Sequence, residues 1–217
     1  EAKSIYVIGD VHGEVDTLNE MLKLLEPEVA ILLGDVGLFW NHQNYAYGMN
    51  GVIPHGKPKF SDYAFQQIDS SKTKIFWLMG NHEEFNYVEK NWGRVGKEPI
   101  EIKPNLFYCP IGSTLNINGK ECLFIGGALS IDKEYRTMDV DWFKQEELTS
   151  EDFSFIEKFV EGKKIHTIFS HTCPHHFTIL APHDKRGHKF EDNSCKVLRD
   201  VRESLQPDYW FFGHWHR

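Results

Sequence analysis

The residues best suited to chemistry in this chain are carboxylates, an amide and imidazoles, each placed just after a short apolar run. Asp10-Val11-His12 follows Gly9, Asp35 follows Gly34, Asn81-His82-Glu83 follows Gly80, His171 follows Ser170, and His214-Trp215-His216 follows Gly213. Histidine is the commonest metal ligand and the readiest acid or base near neutral pH, so these positions matter more than the total of twelve imidazoles. Each group alone is ordinary. An Asp-x-His reads as a turn residue beside a surface imidazole, a Gly-Asp as a loop, and a single His beyond a strand as a hydrogen-bonded cap. Gathered in one crevice, unpaired carboxylates and imidazoles repel or stay undersatisfied unless cations sit among them.

The elements that must position these residues are legible from periodicity. The runs at 4–8, 29–33, 73–79, 166–169 and 209–212 are rich in β-branched and aromatic residues and too short for helices, so they predict buried strands. Between the first two, Val15, Leu18, Met21, Leu22 and Leu25 recur at helical spacing over 14–26, and Pro27 stops the helix. Further helices are expected near 62–68, 151–160 and 194–205, each preceding a strand. Alternating strands and helices predict an α/β core, and in such sheets the side chains beyond the carboxyl ends of the strands converge on one crevice. The segments 105–109, 113–117 and 121–125 also read as strands, and Asn118-Gly119 between the last two signals a type I′ hairpin. An antiparallel part is therefore expected, in the same sheet or in a second one packed near it.

The 217 residues suit one domain spanning 1–217, and the chain ends one residue after His216, which leaves room for a further closing element. With 24 Lys plus Arg against 32 Asp plus Glu the net charge is −8, which argues against a broad basic face for sequence-blind nucleic-acid binding. No apolar run is long enough to span a bilayer, and no secretory signal is visible. Cys109, Cys122, Cys173 and Cys195 make no Cys-x-x-Cys pair, so free, packed thiols and a cytoplasmic location are expected.

Taken together, Asp10-Val11-His12, Gly34-Asp35, Gly80-Asn81-His82-Glu83, His171 and Gly213-His214-Trp215-His216 resemble the motif set of the calcineurin-like metallophosphoesterases, in the family's order and over nearly the whole chain. The resemblance implies two mixed β-sheets flanked by helices, with a two-metal site at the strand carboxyl ends. It implies one ion held by Asp10, His12, Asp35 and His216, and a second held by Asp35, Asn81, His171 and His214, with Asp35 bridging. Mixed imidazole and oxygen donors suit manganese, iron or zinc rather than calcium or magnesium, and manganese is the expected ion. The implied reaction is hydrolysis of a phosphomonoester or phosphodiester by a metal-bridging hydroxide, with His82 as general acid and Glu83 orienting the His82 ring.

The sequence departs from the protein-phosphatase branch of that family. After Gly34-Asp35 it reads Val36-Gly37-Leu38-Phe39-Trp40, without the Arg that grips phosphate there. Arg136, in the stretch from Gly127 onward, is the leading replacement, because a guanidinium suits bidentate phosphate contact. Two insertions are expected to choose the substrate. One, at 38–60, carries Phe39, Trp40, Tyr45, Tyr47 and Met49, which either stack a nucleobase or, more often in such loops, fasten the loop to the body. The other, at 172–193, carries His175, His176, His183, Lys185, Arg186, His188 and Lys189, a local basicity suited to an anionic substrate. Cys173, two residues from His171, reads as packing. The expected partner is a phosphorylated substrate, a nucleotide among the options, with no membrane. The alternatives are a structure-specific nuclease, which the net charge disfavours, and a non-catalytic interaction module, which typically loses ligands or the acid histidine that are all present here.

Overall fold

Alternation inside the apolar runs decides how the sheets stack. A computed structural model describes residues 4–39, 62–180 and 192–216. In strand β2 (Val29–Leu32), Ala30 and Leu32 pack with Leu18 and Leu22 of helix α1 (Val15–Leu25), whereas Val29 and Ile31 join Phe124 and Phe169 of a different sheet. Side chains of period two thus build one core on each face of the sheet. The second sheet repeats the arrangement. Its Leu123, Ile125 and Ile168 pack against Ile156 and Val160 and against Val197, Leu198 and Val201, from two helices on its outer face. The layers run helix, sheet, sheet, helix.

The first sheet has the order β1-β2-β3-β5-β4, from β1 (Ile5–Ile8), β2, β3 (Lys74–Trp77), β5 (Leu106–Tyr108) and β4 (Ile100–Lys103). All its pairs are parallel except β4 with β5. The second has the order β6-β7-β8-β9, from β6 (Thr114–Ile117), β7 (Lys120–Ile125), β8 (Thr167–Ser170) and β9 (Tyr209–Phe212). Here only β6 and β7 are antiparallel. Asn118 and Gly119 join them with φ of 52° and 77°, the two positive values a type I′ turn requires. The five chemistry-bearing strands are therefore shared between two mixed sheets, β1, β2 and β3 in one and β8 and β9 in the other.

The expected helices form as α1, α2 (Asp62–Gln67), α4 (Ser150–Phe159) and α5 (Asn193–Leu205). Thr149 and Asp152 cap α4 reciprocally, and Asp192 accepts from the Cys195 N–H at the start of α5. Two elements go beyond the sequence reading. Helix α3 (Phe85–Trp92) starts directly after the Asn81-His82-Glu83 motif, with the Glu84 side chain accepting from the Tyr87 N–H, and β4 forms the edge of the first sheet. All four cysteines are free and buried. Among the described residues no helix is long and apolar enough to cross a membrane.

Candidate metal centre and active site

Parallel pairing places the carboxyl ends of β1, β2 and β3 side by side, and likewise those of β8 and β9. The residues that follow them meet in one crevice between the sheets. They fall into two groups whose ligand atoms lie within 4.8 Å of one another: Asp10, His12 and His216 form one, and Asp35, His171 and His214 the other. The groups touch, since His12 Nε2 lies 3.7 Å from Asp35 Oδ2. Asn81 joins the second group through its Oδ1, 3.1 Å from His171 Nε2. All seven expected residues come together, with Asp35 in the second group and against His12 of the first.

Local backbone geometry aims these groups. Asp10, His12, Asp35, His214 and His216 all have φ between 46° and 68°, a left-handed conformation that non-glycine residues seldom adopt and that is held where surrounding structure over-determines it. The acids lace the strand ends together. Asp10 accepts from the His214 N–H at 3.0 Å, and Asp35 Oδ1 accepts from the His82 N–H at 2.8 Å. Close approach demands glycine at Gly34, where a Cβ would stand 2.6 Å from both Gly80 Cα and His171 Nδ1. His171 Nδ1 faces the Leu33 carbonyl at 2.5 Å, so the ring donates there and turns Nε2 into the crevice.

The donor set fits divalent cations. His12 and His216 turn their Nε2 atoms toward each other at 3.2 Å, and His171 Nε2 faces Asp35 Oδ1 at 3.4 Å, so protons or metal ions must lie between them. Burial works against charge on His171, but Asp35 overcomes it and lifts the imidazole to about 9. Burial likewise opposes charge on Asp35, yet His171 holds that carboxyl well below its ordinary range. Burial, reinforced by His171, lowers His214 to about 3 and leaves it a neutral donor. A proton on His171 thus stands where a cation would otherwise compensate the acid.

His82 sits beside both groups without belonging to either, its ring 5.4 Å from that of His12. Arg136, expected only as a candidate, is brought to it: Nη2 lies 3.2 Å from His82 Nδ1 and 3.3 Å from Nε2. The guanidinium is held by Asp132 Oδ2 at 2.9 Å and the Asp141 carbonyl at 3.2 Å. Asp132 is a residue the sequence reading passed over, although its place four before Arg136 was a signal for it. Burial lowers His82 to about 4, with Asp35 pulling the other way and Arg136 adding to the drop.

Glu83 departs from its expected part. Its Oε1 accepts from the Val36 N–H at 2.8 Å and the Trp77 indole at 3.3 Å, and its Oε2 from the Gly37 and Leu38 N–H groups at 3.1 and 3.2 Å. Four donors on one carboxylate fasten the segment after Asp35 to β3, so Glu83 positions that segment and not the His82 ring. Burial and the nearby Asp35 raise it to about 8 against the pull of those donors.

Phe39 packs against Phe65, Tyr87 and Trp92 with ring centroids 4.7, 4.9 and 5.2 Å away, so this aromatic is held against the body and is not free to stack a base. Trp40, Tyr45, Tyr47 and Met49 lie outside the described residues, as do His183, Lys185, Arg186, His188 and Lys189. His175 and His176 are exposed, and Cys173 is buried as expected for a packing residue. A cavity of about 830 Å³ opens beside Asp10 and His216, walled by Phe177, Phe211, Phe212 and Trp215.

The family model for calcineurin-like phosphoesterases matches residues 3–217, and the chain belongs to that family. A solved crystal structure is similar at 14% identity and a TM-score of 0.56, covering 99% of this chain and 84% of that one, a likeness of fold. A comparison with curated proteins finds no match. The family's chemistry is metal-dependent phosphoester hydrolysis, and this chain carries groups able to hold the metals.

Proposed function

We propose that this protein is a dinuclear metal-dependent phosphoesterase that hydrolyses a phosphomonoester or phosphodiester, with manganese as the preferred ion and iron or zinc able to serve. The observation that carries the reading is the gathering of His82 and Arg136 at the edge of two adjoining groups of candidate ligands, Asp35 of one lying 3.7 Å from His12 of the other. Asp10, His12, Asp35 and His216 would hold one ion, and Asp35, Asn81, His171 and His214 the other. When bound, such a pair activates water and neutralises charge on a phosphoryl group. The protein's own residues do the remaining work. Arg136, fixed by Asp132 and the Asp141 carbonyl, offers N–H donors to the non-reacting phosphoryl oxygens. His82, beside the ions but not among their ligands, gives its proton to the departing oxygen, and the negative charge of the bound phosphate favours the protonated ring.

The substrate is a phosphorylated small molecule, a nucleotide being one option, acting in a reducing compartment such as the cytoplasm. A non-catalytic module would have no use for a complete ligand set with an acid and a guanidinium beside it. The test is hydrolysis of p-nitrophenyl phosphate and bis-p-nitrophenyl phosphate by metal-stripped protein with and without added Mn²⁺. Turnover that requires Mn²⁺ and falls by about 10²–10³ in Arg136→Ala is expected. No hydrolysis of either ester with Mn²⁺ present at any pH between 6 and 9 would contradict it.

A further inference from the structure

The two kinds of ester differ in charge. Near pH 7 a phosphomonoester carries about −1.5 to −2, whereas a phosphodiester keeps a single negative charge and has a second organic group in place of one free oxygen. The segment that brings Arg136 to His82 suits the lower charge. Nη2 is the guanidinium nitrogen that meets His82, 3.2 Å from its Nδ1, and it already donates to Asp132 Oδ2 at 2.9 Å. Nη1 donates to the Asp141 carbonyl at 3.2 Å. A terminal nitrogen carries two N–H groups, so Nη2 has one left for a phosphoryl oxygen, and the fork with which a free guanidinium grips a dianion is partly occupied.

Charge points the same way. The Asp132 side chain is 46% exposed, so its carboxylate lies open beside any anion that Arg136 holds. Lys133, the other cation of the segment, turns to Glu147 at 2.7 Å. Over 131–142 these two bases stand against Asp132, Glu134, Asp139 and Asp141. Such a segment compensates one negative charge better than two. Apolar surface also borders the crevice in two places. Ile131, Tyr135 and Met138, which flank Arg136 in sequence, are 70%, 90% and 56% exposed, and the cavity beside Asp10 and His216 is walled by aromatic rings. A monoester has one organic group to lay on such surface, a diester two.

We propose that the site selects phosphodiesters over phosphomonoesters and that Asp132 is a specificity-determining residue, its carboxylate occupying part of Arg136 and repelling the second charge of a monoester. The proposal rests on the phosphoesterase reading above. Discrimination by a repulsive element needs no added contact with the favoured substrate.

The experiment compares kcat/KM for bis-p-nitrophenyl phosphate and p-nitrophenyl phosphate, which share a leaving group, at about pH 8, where the monoester is a dianion. It uses the Mn²⁺-loaded wild type, Asp132→Asn and Asp132→Glu. Asp132→Asn keeps the size and an oxygen to accept from Arg136 but removes the charge. The wild type should favour the diester by about tenfold or more, and Asp132→Asn should lower that ratio by about tenfold, chiefly through a smaller KM for the monoester. Asp132→Glu, which keeps the charge, should keep the preference. A wild type that favours the monoester would overturn the proposal. So would an Asp132→Asn variant that loses activity on both esters alike, the mark of a merely structural support for Arg136, or an Asp132→Glu variant whose ratio falls as far as that of Asp132→Asn. Hydrolysis of neither ester by the wild type would overturn the phosphoesterase reading itself, a distinct failure.

Discussion

At the scale of single residues, the division of labour at the crevice follows from what each side chain can offer. Imidazoles and carboxylates that face one another are the proposed ligands, whereas His82, with a guanidinium at 3.2 Å, is the group proposed to serve a bound anion. His82→Ala is therefore expected to keep both ions and to lose about 10²–10⁴ in kcat with alkyl phosphates, whose leaving oxygens need a proton. With p-nitrophenyl phosphate the loss should be smaller, and equal losses on the two substrates, measured side by side, would remove His82 from the acid role. The seven proposed ligands were legible because each follows a strand-like run and matches a family motif. Glu83 was not, since standing next to His82 in sequence does not say which side of the loop a carboxyl takes. Its partners, the N–H groups of Val36, Gly37 and Leu38, are brought near only when β2 and β3 pair.

Elements form where local pattern and long-range packing agree. The Asn118-Gly119 hairpin was readable because both residues tolerate positive φ and flank alternating strands. Helix α3 was not, because Phe85, Tyr87, Val88 and Trp92 are aromatic or β-branched, and its start is set by a Glu84 cap directly after the motif. Strand β4 escaped notice because four residues, Ile100–Lys103, alternate apolar and charged between Pro99 and Pro104. Nor could the division of five similar strands between two sheets be read locally. The joint that ties β2 to β3 through Glu83 gives a test at this scale. Glu83→Ala leaves three backbone N–H groups and the Trp77 indole without their acceptor, and should cost about 2–4 kcal/mol of stability by urea unfolding. A change under about 0.5 kcal/mol would show that the carboxylate fastens nothing.

For the whole molecule, the buried charges tie folding to pH and metal. In the metal-free chain Glu146 is raised to about 7, Glu83 to about 8 and His171 to about 9, from ordinary values of 4.5, 4.5 and 6.5. Each holds a proton in the folded state at pH values where the unfolded chain has released it, so rising pH works against folding. Below 6.5 the lowered imidazoles of His82 and His214 act in the opposite sense, being neutral when folded and charged when unfolded. Between about pH 6.5 and 9 only the first effect remains. The urea midpoint of metal-free protein should therefore fall across that window. Saturating Mn²⁺ should flatten the fall, because ligation takes neutral His171 and stabilises the fold by about 2.7 kcal/mol for each site filled at a hundredfold excess over Kd. A midpoint that rises with pH in the absence of metal would contradict this account of the buried groups.

The central claim is that seven side chains from two sheets converge on a pair of ions, and anomalous diffraction from a crystal soaked in Mn²⁺ tests it most directly. The account predicts two peaks per chain, one among Asp10, His12 and His216 and one among Asn81, His171 and His214, with Asp35 reaching both. A single peak, or peaks away from these residues, would contradict it.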